Sequence, residues 1–297
     1  MDGKNMARRR FNANVVTWWN LDSDATIPSE DPALHDQLIL AEGDSWFTLG
    51  GIPTSNLLFS LRFVKSTLVV SCAMPGDTIR HMSEVANNKG FRDALSRRYG
   101  YRWNLILLSG GGNDLMDEAD EILRPMEEWA SVDNREPKDY CNEASLGELM
   151  ANIQAGYQRM VALRDGPGAS SPKVPMLTHT YDYPTPRNAP ARFLSSPILG
   201  PWLFKAFTAH EIPESDWVPL SDYLLDRLAI TILDLAQGPN ALPQFHVLDT
   251  RNLLKRARLG TLGEDGDWLN EIHPTFDGYR KIAKAMEETI QTTIAHP

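Results

Sequence analysis

The chain has 297 residues, 42% hydrophobic and 23% charged, which is enough apolar material for a sizeable core and excludes a disordered polyelectrolyte. Its formal charge of −10, from 29 basic and 39 acidic side chains, argues against a nucleic-acid partner that needs a basic surface and reads most simply as solubility. Two cysteines, Cys72 and Cys141, set no disulfide framework, and Cys72, closing an apolar run, reads as a small buried hydrophobe.

In chain order, the charged opening Met1–Arg10 is followed by no apolar stretch of signal-peptide type, and no window approaches a membrane-spanning length. A cytoplasmic location is the simplest expectation, although export without a signal would leave no trace. Residues 1–36 read as a polar lead-in whose Trp18 and Trp19 pack on the domain. Leu38-Ile39-Leu40-Ala41 has the continuous apolar character of a strand buried on both faces, and it ends in Gly43-Asp44-Ser45. A helical segment at Leu57–Leu61 follows.

Ser66–Cys72 is a second strand, emptying into the Pro75-Gly76 turn, and a helical stretch with Ile79, Met82, Val85, Phe91 and Leu95 is interrupted around Asn87–Gly90. Trp103–Ser109 is a third strand, running into Gly110-Gly111-Gly112-Asn113-Asp114. Residues 117–144 are acidic and irregular. Ser145-Leu146-Gly147-Glu148 has the form of a capping box, opening a helix with Leu146, Leu149, Met150, Ile153, Tyr157, Met160 and Val161 on one face. Val174–Thr180 is a fourth strand and Phe245–Asp249 a fifth, separated by the proline-rich Tyr181–Trp217 and a helix over Tyr223–Ala236. A terminal helix covers Phe276–Ile294.

Strands alternating with helices predict an α/β protein with three layers and an open parallel sheet of about five strands. Ser45, Gly76 and Asn113 follow three consecutive strands, and in such a sheet all C-terminal strand ends share one edge.

A serine at that edge becomes a nucleophile only if a base takes its proton, and histidine is the usual base. Of seven histidines, His35, His81, His210, His246 and His296 read as structural or solvated, while His179, near a strand end, could line a pocket. His273 stands apart, in a loop just before the last helix from which a base can reach a serine on the first strand. Attack on a carbonyl also needs donors for the developing oxyanion. The Ser45 N–H, the Gly76 N–H and the Asn113 amide are the natural three, although each glycine also reads as a plain turn glycine.

Gly43-Asp44-Ser45, Gly76, Gly111-Gly112-Asn113-Asp114 and His273 stand in the order of the SGNH (GDSL-type) hydrolase superfamily, which the chain resembles from residue 43 to 273. The resemblance implies a flavodoxin-like α/β/α sandwich and hydrolysis of carboxylic esters, including lipids and acylated sugars, with neither metal nor organic cofactor. It implies Ser45 as nucleophile and first oxyanion donor, Gly76 and Asn113 completing the hole, and His273 as base. Acyl transfer at the same site, or a catalytically weak binding domain, are the alternatives.

One position departs from the pattern. The family commonly has aspartate three residues before its histidine, where this chain has Asn270. Asn270 is the positional candidate to orient His273, with Glu271, Asp267 or a backbone carbonyl as alternatives. The expected organisation is a lead-in over 1–36 and a hydrolase domain over 37–297, with 181–220 an insertion or lid. Its apolar Phe193–Phe207 part either packs on the core or lines a channel for an acyl chain of a small-molecule or lipid ester. The acidic Gly263–Asp267 does not match a calcium loop, and no His/Cys spacing suits zinc.

Overall fold

Four strands, each buried along most of its length, form the middle of one sheet: β2 (Gln37–Gly43), β3 (Thr67–Ser71), β4 (Leu105–Ser109) and β5 (Met176–His179). The computed structural model describes residues 9–22, 30–48, 55–84, 88–193 and 196–295. β1 (Asn14–Thr17) and β6 (Phe245–Leu248) close the two edges. The order is β6-β5-β4-β2-β3-β1, and every neighbouring pair is parallel.

The sheet therefore has six strands, where the sequence predicts about five. The extra one, β1, lies within the polar lead-in. It is short, begins with the exposed Asn14 and buries Val15 and Val16 only in part, so it lacks the apolar run that marks the central strands. Trp18, directly after it, is buried edge-on to Tyr99 and Tyr101 at ring-centroid distances of 5.0 and 6.0 Å, whereas Trp19 is exposed.

Strands buried on both faces require helices on both sides. Helix Glu143–Arg164 packs against Ile79–Ser83, Lys89–Leu95 and Glu214–Gln237, and the terminal helix Phe276–Ala295 packs against Leu57–Ser60 in a separate group. The result is a three-layer α/β/α sandwich. The long helix begins at Glu143 rather than at Ser145. Asn142 is its cap, with a side-chain oxygen accepting the Ala144 and Ser145 N–H groups at 3.1 and 3.3 Å, and the predicted apolar face is buried. The helix predicted from Tyr223 starts at Glu214, with Pro219 in its second turn. Within the irregular 117–144 stretch lie short helices at Ala119–Ile122 and Met126–Trp129 and a 3₁₀ turn at Pro137–Tyr140. Val85 and Asn87 fall outside the described residues.

The chain leaves β2 for β3 on one side, then crosses back to β4 on the other. That reversal puts a crevice at the C-terminal end of β2. Close approach of β2 and β4 there demands glycine at 43, since a Cβ would lie 2.8 Å from both Cβ and the carbonyl oxygen of Ser109.

Candidate active site

The turn after β2 is wound around Asp44. Its carbonyl accepts the Phe47 N–H and the Thr48 hydroxyl, and its Oδ1 accepts the Trp46 N–H at 3.0 Å. Ser45 is left at the apex, half-buried, with Oγ 2.7 Å from His273 Nε2. Residues 228 apart in sequence thus meet at hydrogen-bond distance.

The protonation pattern follows from the neighbours. Asn270 Oδ1 receives three N–H groups, from Ile272 N at 3.1 Å, His273 N at 2.8 Å and His273 Nδ1 at 3.0 Å. Two of those are backbone donors, so the receiving atom is the amide oxygen and not the nitrogen. His273 Nδ1 therefore carries the proton, and the Nε2 lone pair faces the serine hydroxyl. Burial pushes the His273 pKa down to about 4, so the imidazole is neutral at pH 7.

The other candidates for orienting His273 are engaged elsewhere. Asp267 accepts the Lys255 N–H and the Lys281 ammonium, and Glu271 binds backbone N–H groups of Arg187, Trp202 and Phe204.

Asn113 lies at the start of helix Gly112–Asp117 and lines the same cleft as Ser45, its Nδ2 donating to the Asp77 carbonyl at 3.0 Å. Gly76, adjacent to Asp77, is exposed and has φ +79°, a conformation suited to glycine. Neither the Ser45 nor the Gly76 N–H donates to a described acceptor. Asp114, next to Asn113, accepts the Ile79 N–H at 2.8 Å, and its burial lifts the pKa to about 6.

The cleft is lined by Ser45 and Asn113 together with the apolar Met116, Pro184, Leu225, Trp268 and Ile272. Asp44 and Asp182 are the formal charges among its lining residues. Tyr181, Asp182 and Pro184 contribute to its wall, and from the following segment the Trp202 ring stands edge-on to the His273 ring at 5.8 Å.

Beneath Ser45 lies a buried network that the sequence did not reveal. His179 Nδ1 accepts the Tyr181 N–H at 3.2 Å, which leaves Nε2–H to donate to Ser109 Oγ at 3.1 Å. Ser109 Oγ donates to Asp44 Oδ1 at 2.8 Å, and the Tyr181 hydroxyl donates to Asp44 Oδ2 at 2.5 Å. Burial drives His179 down to about 3 and raises Asp44 to about 6. His179 is thus a neutral structural histidine stacked on Trp46, with ring centroids 5.2 Å apart. Trp46 Nε1 in turn donates to the Ile272 carbonyl at 3.3 Å, tying the serine turn to the histidine loop. Ser109, a hydroxyl closing a wholly apolar strand, was the one visible hint of this network.

No protein-family model matches the sequence, and no curated protein is found similar to it. In three dimensions the chain is similar to solved esterases and lipases. An acetyl esterase variant with bound acetate is 11% identical, with a TM-score of 0.42, over 87% of this chain and 98% of that one. A possible lipase from Chitinophaga pinensis is 11% identical, with a TM-score of 0.44, over 86% and 98%. A GDSL-like lipase from Bacteroides thetaiotaomicron is 11% identical, with a TM-score of 0.38, over 86% and 88%. Among the described residues, no helix is long and apolar enough to cross a membrane.

Proposed function

We propose that the protein is a serine hydrolase of the SGNH (GDSL) type that cleaves carboxylic esters through an acyl-enzyme on Ser45. The observation that carries this reading is the relay from Ser45 Oγ through His273 to Asn270 Oδ1, with the tautomer set for proton abstraction. Nε2 takes the hydroxyl proton as Oγ attacks the ester carbonyl. The imidazolium then gives that proton to the departing alcohol, and water releases the acyl group by the reverse path. The Ser45 and Gly76 N–H groups and the second Nδ2 hydrogen of Asn113 are the donors assigned to the oxyanion.

The cleft lining favours a neutral, apolar acyl group, since aliphatic and aromatic side chains make up much of its wall and its charges are acidic. The test is labelling with a fluorophosphonate on wild type, Ser45→Ala and His273→Ala. Labelling of wild type that disappears in both variants is the expected result. A folded wild type that resists the probe and turns over no p-nitrophenyl ester would overturn the reading in favour of a non-catalytic binding domain.

A further inference from the structure

Glu271 and Arg187 form a second buried unit immediately behind the histidine loop. Glu271 is fully buried, and Oε1 accepts the Phe204 N–H at 2.7 Å and the Arg187 N–H at 3.4 Å, while Oε2 accepts the Trp202 N–H. Arg187, 1% exposed, points its guanidinium at carbonyl oxygens of the loop that carries the histidine. Nη2 donates to Asn270 O at 2.6 Å and Trp268 O at 3.4 Å, and Nη1 donates to Gly263 O. Its Nε has no hydrogen-bond partner among the described residues. One side chain therefore collects N–H groups from the 187–204 segment, and the other collects carbonyls from the 263–270 loop. Between them they fasten Arg187, Trp202 and Phe204 to the loop that carries Asn270 and His273.

The segment so fastened bears Trp202, whose ring stands edge-on to His273. The ring is also packed down on Gly200, at φ +76°, where a Cβ would sit 2.6 Å from Trp202 Cε3 and Cζ3. The imidazole is thus held on one side by Asn270 and braced on another by an indole whose own backbone is tied to Glu271.

We propose that Glu271 is a positioning residue for His273: its carboxylate pins the Trp202–Phe204 backbone so that the Trp202 ring braces the imidazole against Ser45. This rests on the reading of His273 as the base. The charged group acting on the carboxylate is Arg187, itself acted on by Asp265 from the loop beyond, while His273, the other titratable group on the same loop, is neutral near pH 7. Burial raises Glu271 to about 7, so the carboxylate form that accepts all three N–H groups is lost as pH falls through neutrality.

The decisive variant is Glu271→Gln, which keeps the shape but turns an amide N–H toward one of the backbone donors. Three readouts apply: amide hydrogen exchange at Trp202 and Phe204, kcat and KM on a p-nitrophenyl ester from pH 4 to 9, and the rate of fluorophosphonate labelling. Exchange at both amides should quicken, and kcat should fall roughly tenfold at pH 8 with KM little changed, the scale of a modest misplacement of a catalytic group. The wild-type activity limb near pH 7 should be missing from the variant. A variant with wild-type kcat and an unchanged pH profile would overturn the proposal while leaving Ser45 labelling, and so the hydrolase reading, intact. Failure of wild type to label would remove both. Should Glu271→Gln not fold, Gly200→Ala displaces the indole without touching the carboxylate. It is expected to lower kcat similarly and to flatten the limb near pH 7, because the brace through which Glu271 acts is already lost, and unchanged kcat in that variant would equally refute the brace.

Discussion

Replacing Asn270 by aspartate puts a carboxylate where three N–H groups already converge, at 2.8 to 3.1 Å. The backbone geometry has nothing to rearrange, since the same atom position accepts the same donors. The new charge acts mainly on the histidine. With charge centres about 4 Å apart, the attraction between carboxylate and imidazolium is roughly 4 kcal/mol at an effective dielectric of about 20. That equals about three pKa units before the cost of burying the new charge, so a rise of about one to three units is expected. His273 should then titrate between about 5 and 7 rather than at about 4.

In the proposed mechanism imidazolium forms as the serine attacks, so the same attraction lowers the barrier, and kcat at pH 9 should rise roughly 10- to 10³-fold. The tautomer is already correct with asparagine, so the gain is electrostatic and not a rescue of misoriented imidazole. The assay is a ¹⁵N NMR titration of the His273 ring in both proteins, with kcat on a p-nitrophenyl ester at pH 9. A folded Asn270→Asp variant whose ring still titrates near 4, with kcat unchanged, would refute the contact between Asn270 and Nδ1 on which the relay rests.

Two further perturbations test the scaffold under the site. Glu42, fully buried in β2, accepts the Gly43 N–H and the Asn88 amide, and burial raises its pKa from 4.5 to about 8. Over that window the folded chain holds a proton that the unfolded chain has released, so stability falls by about 1.4 kcal/mol per pH unit as pH rises. Glu42→Gln should remove that contribution, read as a flatter difference in urea stability between pH 5 and pH 8; identical slopes in the two proteins would contradict it. Tyr181→Phe takes from Asp44 the hydroxyl that donates to Oδ2 and leaves a buried carboxylate one donor short. A loss of about 1–3 kcal/mol in thermal unfolding is expected, together with slower labelling of Ser45, and wild-type stability would show the network to be slack.

The central strands, and with them the positions of Ser45 and Asn113, were legible because β2, β3 and β4 are apolar runs broken by glycine-bearing turns. The sheet edge was not, because among the described residues Asn14–Thr17 pairs with β3 alone and it buries little. His273 could be singled out by its place before the last helix, and Asn270 by its spacing from it. What sequence could not show is the traffic among distant polar groups. Glu271 looked like a possible partner of His273, yet its bonds run to Trp202 and Phe204, 69 and 67 residues away. Tyr181 and Ser109 meet Asp44 across 137 and 65 residues, a relation that only the folded order of the strands creates. Ser145 carried the local signature of a cap, and Asn142, three residues earlier, took the role because its oxygen reaches the first free N–H groups.

The buried acids at this sheet edge share one design. Glu42, Asp44, Asp114 and Glu271 are held by backbone N–H groups, hydroxyls and an amide, and among the described residues none bonds a cationic side chain. All four titrate above their ordinary values because burial outweighs those dipoles. The Asn270 loop offers three N–H groups in the same manner, so it could hold an anion; asparagine there changes the histidine and not the loop. With Asn270 rather than a carboxylate at Nδ1, the imidazole stays neutral down to about pH 4, while on the positioning proposal the Trp202 brace loosens near pH 7 as Glu271 takes up its proton. The acid limb of kcat/KM should therefore descend in two steps, a partial loss near 7 and an abolition near 4. In Asn270→Asp the two steps should draw together as His273 rises toward Glu271. A single steep limb in wild type, unmoved by either Asn270→Asp or Glu271→Gln, would mean that neither side chain governs the base.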